Sequence, residues 1–172
     1  TNERGAIVVN DTCESSVPGV YAVGDVNGGP QFTYISLDDF RIVFGALTGN
    51  GQYTLKDRKN IPYTTFLTPP LARVGLTEED AINKGYTVKT KEMLVATMPR
   101  AHVNDYLKGA FKIVVNADND LILGATLYSQ GAEELINLIK MAMDNNIPYT
   151  YFKNQIFTHP TMAENLNDLC NF

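Results

Sequence analysis

Residues 111–128, Phe111-Lys112-Ile113-Val114-Val115-Asn116-Ala117-Asp118-Asn119-Asp120-Leu121-Ile122-Leu123-Gly124-Ala125-Thr126-Leu127-Tyr128, decide the fold class. Two β-branched, apolar runs, Phe111–Val115 and Leu121–Tyr128, flank the turn-forming Asp118-Asn119-Asp120, which predicts a β-hairpin. Downstream of Gly131, Leu135, Leu138, Ile139 and Ala142 recur at helical spacing and predict a helix over 133–145. Upstream, short strands are expected at Tyr63–Leu67 and Ala72–Gly75, on either side of Thr68-Pro69-Pro70, and at Thr87–Lys91 and Leu94–Met98. Thr77-Glu78-Glu79-Asp80 opens a short helix with a capping threonine and acids in its first turn, and Gly85 ends it. Hairpin strands with helices to one side make an α+β domain with an antiparallel sheet.

The first third reads differently. Gly5–Val9 and Val20-Tyr21-Ala22-Val23 look like short buried strands, the second halted by Gly24-Asp25 and the loop Asn27-Gly28-Gly29-Pro30. A helix is expected from Thr33, as N-cap, to about Leu47, with Gly49 or Gly51 as the stop. Residues 49–62 carry glycines, an Asp-Arg-Lys-Asn run and a proline, and read as a linker between segments 1–60 and 61–172.

The 172 residues suit one large domain or one domain with a piece of another. Fourteen basic against nineteen acidic residues give a net charge of −5, which argues against nucleic acid or an anionic membrane as partner. No run approaches a membrane span. Cys13 and Cys170 lie far apart without metal-ligand or redox spacing, so no metal site is expected, and a reducing cytoplasm is. Both read as inert thiols, Asp38-Asp39 as a solvated helix face, and His102 as a solvated loop histidine. Because the chain opens inside a strand-like run, it reads as a piece of something longer.

Three constellations carry chemistry. At Gly24-Asp25 a strand delivers a carboxylate beside a helix N-terminus, which suits a nucleotide or flavin; a plain strand-ending turn has the same pattern. In Thr158-His159-Pro160-Thr161-Met162-Ala163-Glu164, the Glu164 carboxylate is near enough to orient the His159 imidazole for proton transfer. Thr161-x-x-Glu164 is equally a capping box, and the two roles are compatible. Helix 133–145 is apolar over most of its circumference, with Ile136 and Met143 widening the face, and therefore needs cover from its own core or from a second subunit.

In order and spacing these motifs resemble the pyridine nucleotide-disulfide oxidoreductases. Thr12 through Asp25, ending Gly19-Val20-Tyr21-Ala22-Val23-Gly24-Asp25, is similar to their second flavin-contacting motif. Pro69-Pro70-Leu71-Ala72-Arg73-Val74-Gly75-Leu76-Thr77-Glu78 resembles the opening of their dimerisation domain, and His159-Pro160-Thr161 with Glu164 their terminal motif. Gln31-Phe32-Thr33-Tyr34-Ile35-Ser36-Leu37-Asp38-Asp39 and the segment 156–169 are similar to the bacterial reactive-chlorine-resistance branch, often called mercuric-reductase-like.

The resemblance implies a dimerisation domain preceded by a C-terminal strip of an FAD-binding domain. It implies that Gly24, Asp25, Phe32 and Thr33 contact FAD, with Asp25 on the ribityl chain and the Thr33 N–H near the flavin's pyrimidine edge. It implies His159 as acid/base for a flavin-paired thiol in the other subunit of a homodimer, and Glu164 as its orienting group. NAD(P)H would be the co-substrate, and the acceptor a disulfide, hypothiocyanous acid or a metal ion such as copper(II). The departures are as informative. The family's GxGxxG loops and Cys-x4-Cys pair are absent, and a lone Cys170 stands where mercuric reductases carry vicinal cysteines, which disfavours mercury. The isolated chain is therefore expected to bind FAD weakly or not at all. Dihydrolipoyl dehydrogenase, glutathione reductase and a non-catalytic dimerisation module are the alternatives.

Overall fold

The computed structural model describes residues 1–172, which divide into two compact units, Thr1–Lys59 and Asn60–Phe172.

In the first unit, helix α1 spans Thr33–Thr48 and ends at Gly49, whose φ of 72° and N–H to the Gly45 carbonyl close it in the left-handed conformation. Its N-cap is Phe32 in extended conformation, so Thr33 is the first helical residue and does not cap with its side chain. The two strands expected before it do not form ladders. Residues 1–23 make only single bridges, Val9 with Ser15 and Glu14 with Tyr21. Val8, Val20 and Val23 are exposed while Ala22 is buried. A ladder needs a second row of backbone groups alongside, and here turns consume them: the Asn10 carboxamide oxygen accepts from the N–H groups of Thr12 and Glu14.

The second unit is a five-stranded antiparallel sheet in the order β1-β2-β5-β4-β3, with β1 Tyr63–Thr65, β2 Leu71–Gly75, β3 Val88–Leu94, β4 Ala110–Asn116 and β5 Ile122–Tyr128. The hairpin β4–β5 forms as expected, with Phe111 opposite Leu127 and Ile113 opposite Ala125. Its turn is pinned by Asn116, whose carboxamide oxygen accepts from Asp118 N–H at 2.9 Å and whose carbonyl accepts from Asp120 N–H at 2.9 Å. Gly124 is required on β5, because a Cβ there would lie 2.6 Å from the Leu76 backbone nitrogen.

Alternate strand residues Ala72, Val74, Phe111, Ile113 and Leu127 are fully buried on one face. Helix α4, Ala132–Asp144, lays Leu135, Ile136, Ile139 and Ala142 onto this core, against β2 and β5. Each such side chain contributes about 1.5–3 kcal/mol by leaving water. The chain's own sheet therefore covers most of the apolar face that a second subunit could have covered, although Met141 stays 56% exposed. Helix α2, Glu78–Asn83, starts on a Thr77–Asp80 capping box. The remaining helices are α3 Pro99–Val103, α5 Tyr149–Asn154 and α6 Asn165–Leu169.

Two local expectations are corrected. The separate strand expected at Leu94–Met98 does not form: Leu94 ends β3, and Val95–Thr97 makes a 3₁₀ turn running into α3, which buries Val95, Met98 and Ala101 three residues apart. His102 lies in α3 rather than a loop, exposed, with Nε2 2.8 Å from the Ala96 carbonyl oxygen. No helix is long and apolar enough to cross a membrane.

Candidate functional sites in the two units

In the second unit the histidine motif is braced from behind. Helix α6 buries Leu166 and Leu169 in the sheet core, and its C-cap Cys170 with them. Asn167 donates through Nδ2 to the carbonyls of Phe152 at 2.6 Å and Gln155 at 2.9 Å, tying α6 to the end of α5. Asn165, 2% exposed, donates to the carbonyls of Thr161 and Met162, both at 3.1 Å.

On this base the Glu164 carboxylate makes two separate bonds at once. Its Oε1 accepts from the Thr161 N–H at 3.0 Å, while the Glu164 N–H donates to Thr161 Oγ1 at 3.2 Å, the reciprocal bonds of a capping box closed on the turn before α6, whose own N-cap is Glu164. Its Oε2 lies 2.7 Å from His159 Nδ1. The hydrogen bond with His159 and the Thr161 N–H hold the Glu164 carboxyl below the usual carboxylate range. A carboxylate only accepts, so Nδ1 carries the hydrogen and Nε2 presents a lone pair outward when the ring is neutral. The imidazole is 68% exposed against 18% for Glu164, so Nε2 is open to the exterior while the carboxylate bonded to Nδ1 is shielded. Exposed Ile156 precedes it by three residues.

In the first unit Gly24–Asn27 forms a 3₁₀ turn. Asp25 is exposed on a cavity of about 450 Å³ that Asn2, Arg4, Gly28 and Gln31 also line. Gly24 is buried with φ 72°, and a Cβ there would sit 2.6 Å from Ser36 Oγ. Phe32 and Thr33 stand at the N-terminus of α1, the positive end of its dipole, with the Phe32 and Tyr34 rings stacked 5.1 Å apart. An accepting carboxylate and first-turn amides could hold a ligand that carries hydroxyls and bears or develops negative charge.

Sequence reasoning missed what holds this turn. Asp39, expected on a solvated face, is 0% exposed. Its Oδ2 accepts from the Gly24 N–H at 2.7 Å and from Asn27 Nδ2 at 2.8 Å, and its Oδ1 from Arg58 Nη2. Arg58 also donates through Nε to Asp38 at 2.8 Å. Burial works against the charge on Arg58, but the hydrogen bonds and charges of Asp39 and Asp38 outweigh it and raise its pKa. The signal was in the pattern: residue 39 falls four after Ile35 and three before Ile42, the buried stripe of α1. Arg58, placed in a linker, is its counter-ion.

Both cysteines are buried. Burial, then the charges of Asp39 and Asp38, push the Cys13 thiol up to about 11 despite Arg58; burial pushes Cys170 up to about 12. Thiols so far from ionising at neutral pH are poor nucleophiles.

The sequence pattern of the pyridine nucleotide-disulphide oxidoreductase dimerisation domain matches residues 61–170, and that of the pyridine nucleotide-disulphide oxidoreductases matches residues 1–39. The chain is 49% identical over 168 residues to the probable pyridine nucleotide-disulfide oxidoreductase RclA of Escherichia coli K12, covering 98% of this chain and 38% of that protein. It is 34% identical to a mercuric reductase of Staphylococcus aureus, covering 96% and 30% of the two chains. Its structure superposes on that of the HOCl-induced flavoprotein disulfide reductase RclA from Escherichia coli with a TM-score of 0.96 and 48% identity, over 99% of this chain and 39% of the other. A copper(II) complex of that reductase matches equally, at 48% identity and TM-score 0.96 over 98% and 39% of the two chains. The chain thus spans about two fifths of the length of RclA and less of the mercuric reductase. Hairpin sheet, capped histidine motif and these likenesses agree: the chain belongs to the pyridine nucleotide-disulphide oxidoreductase family.

Proposed function

We propose that the chain works as the C-terminal dimerisation part of an FAD-dependent NAD(P)H:disulfide-type oxidoreductase of the RclA-like branch. The observation that carries this reading is the His159–Glu164 pair, locked by a cap and presenting its free imidazole nitrogen to the exterior at 68% exposure. A base held outward from its own domain is suited to a site completed by another surface, here the partner subunit of a homodimer. His159 Nε2 accepts the proton of the thiol there and returns it when the thiolate is released; Glu164 fixes the tautomer and offsets the charge of the imidazolium.

In the first unit, Asp25 would accept hydrogen bonds from the ribityl hydroxyls of FAD. Gly24 lets the turn approach closely. Phe32 and Thr33 set the N-terminus of α1 toward the ring, where amides and dipole stabilise negative charge on its pyrimidine edge. FAD, when bound, supplies the two-electron relay between NAD(P)H and the acceptor. Hypothiocyanous acid and copper(II) are the acceptors this branch suggests, and the copper(II) complex of the related reductase supports the second.

The test is purification of the flavoprotein encoded with this chain. Stoichiometric FAD, a dimeric mass and NAD(P)H-dependent reduction of hypothiocyanous acid or copper(II) are expected. A colourless protein, or a monomer at high micromolar concentration, would refute the assignment.

A further inference from the structure

We propose that Asp39 and Arg58 are positioning residues that hold the Gly24–Asn27 turn, and with it the Asp25 carboxylate, in place for the cofactor. The inference rests on the flavin reading of Asp25 given above.

The donors that converge on the buried Asp39 carboxylate come from separate parts of the unit: the Gly24 backbone, the Asn27 side chain and Arg58 from the segment after α1. Asn27 is itself tied down, donating to the Ala22 carbonyl at 3.3 Å and accepting from Gly29 N–H at 3.0 Å. For packing alone, a leucine or isoleucine at position 39 would continue the Ile35–Ile42 stripe without desolvating a charge. Such a residue could not accept the Gly24 N–H. That N–H belongs to the residue whose φ of 72° sets the direction in which the chain enters Asp25. The clamp acts one peptide unit from the carboxylate that faces the cavity.

Arginine is the cation this geometry requires. Nε reaches Asp38 while Nη2 reaches Asp39, so one planar fork spans neighbouring carboxylates; lysine would neutralise one and leave the other. Asp38, 20% exposed and also 3.4 Å from the Tyr53 hydroxyl, is the outer half of the bridge, and its loss leaves the inner bonds intact.

The experiment uses the full flavoprotein carrying D39L, R58K or D38N, the leucine removing the acceptor while keeping an apolar side chain on the Ile35–Ile42 stripe. Two quantities are read on each: hydrogen exchange of the Gly24 amide in flavin-free protein, and the FAD dissociation constant with the visible flavin spectrum in folded protein. D39L is expected to speed Gly24 exchange and weaken FAD by tenfold or more each, with an altered spectrum. R58K is expected to fall between D39L and wild type, and D38N within about threefold of wild type. If D39L fails to fold, R58K carries the test. Accelerated exchange with unchanged FAD affinity and spectrum would overturn the positioning role, and unchanged exchange would overturn the clamp itself. Wild-type protein that binds no FAD would instead sink the flavin reading on which the positioning role rests.

Discussion

Replacing Glu164 separates the two roles its carboxylate plays. In Glu164→Ala both bonds vanish, the cap on Thr161 N–H at 3.0 Å and the bond with His159 at 2.7 Å. Losing a cap of this kind costs about 1 kcal/mol. The histidine bond adds between about 0 and 1 kcal/mol, because the imidazole is 68% exposed and the pair is screened. The chain should therefore lose about 1–2 kcal/mol, a factor of roughly 5–30 in the folded-to-unfolded ratio. Glu164→Gln keeps a carbonyl oxygen for Thr161 but turns an N–H₂ group toward His159, so the loss should stay below about 1 kcal/mol while Nδ1 gives up its hydrogen. Urea unfolding measures the first quantity, and the ¹⁵N shifts of the His159 ring the second. The pH dependence follows from the depressed Glu164 carboxyl. A folded-state pKa below the unfolded one adds stability above the ordinary carboxylate range, and that stability is lost as pH falls through the folded value. The gap between wild type and Glu164→Ala should thus narrow below about pH 4. Unchanged stability in Glu164→Ala would mean the turn does not depend on these bonds, and a neutral His159 that keeps its hydrogen on Nδ1 in Glu164→Gln would mean the carboxylate does not set the tautomer.

Other consequences are equally open to measurement. Ile139, 0% exposed beneath the sheet, should cost about 2–5 kcal/mol when cut to alanine, read as a lower urea midpoint; a loss under 1 kcal/mol would mean α4 is not seated as described. Gly24→Ala should destabilise the first unit by about 1–2 kcal/mol or more, since φ is 72° and the new Cβ meets Ser36 Oγ. Adding Ser36→Ala should recover only part of that loss, because the backbone strain remains. Cys13 and Cys170, with folded-state pKa values raised to about 11 and about 12 from 9.0, stabilise the fold below pH 9 and lose that contribution as pH climbs toward 11–12. Unfolding free energy should therefore fall less steeply above pH 9 in Cys170→Ala than in wild type.

The α+β class and the hairpin were legible because alternation, β-branching and an Asp-Asn-Asp turn all pointed one way, and α4 because its apolar spacing follows a glycine. Leu94–Met98 misled because a run of apolar residues fits a strand and a 3₁₀ turn alike; the three-residue spacing of Val95, Met98 and Ala101 was the better guide. Strands before residue 24 were misjudged for a different reason: β-propensity records what would pack in a sheet, and pairing depends on which backbone runs alongside. His159 and Glu164 stood out as a local motif. Asp39 and Arg58 lie nineteen residues apart, and only the fold turns two ordinary surface residue types into a buried pair.

The proton transfer proposed for His159 in thiol chemistry beside a flavin is best measured by the pH–rate profile of the full flavoprotein with and without His159→Ala. Turnover should be lower by about 10²–10⁴-fold, with loss of one limb of the profile and unchanged FAD content and dimer mass. A mutant whose rate and profile superimpose on wild type would contradict it and leave His159 a residue of the turn.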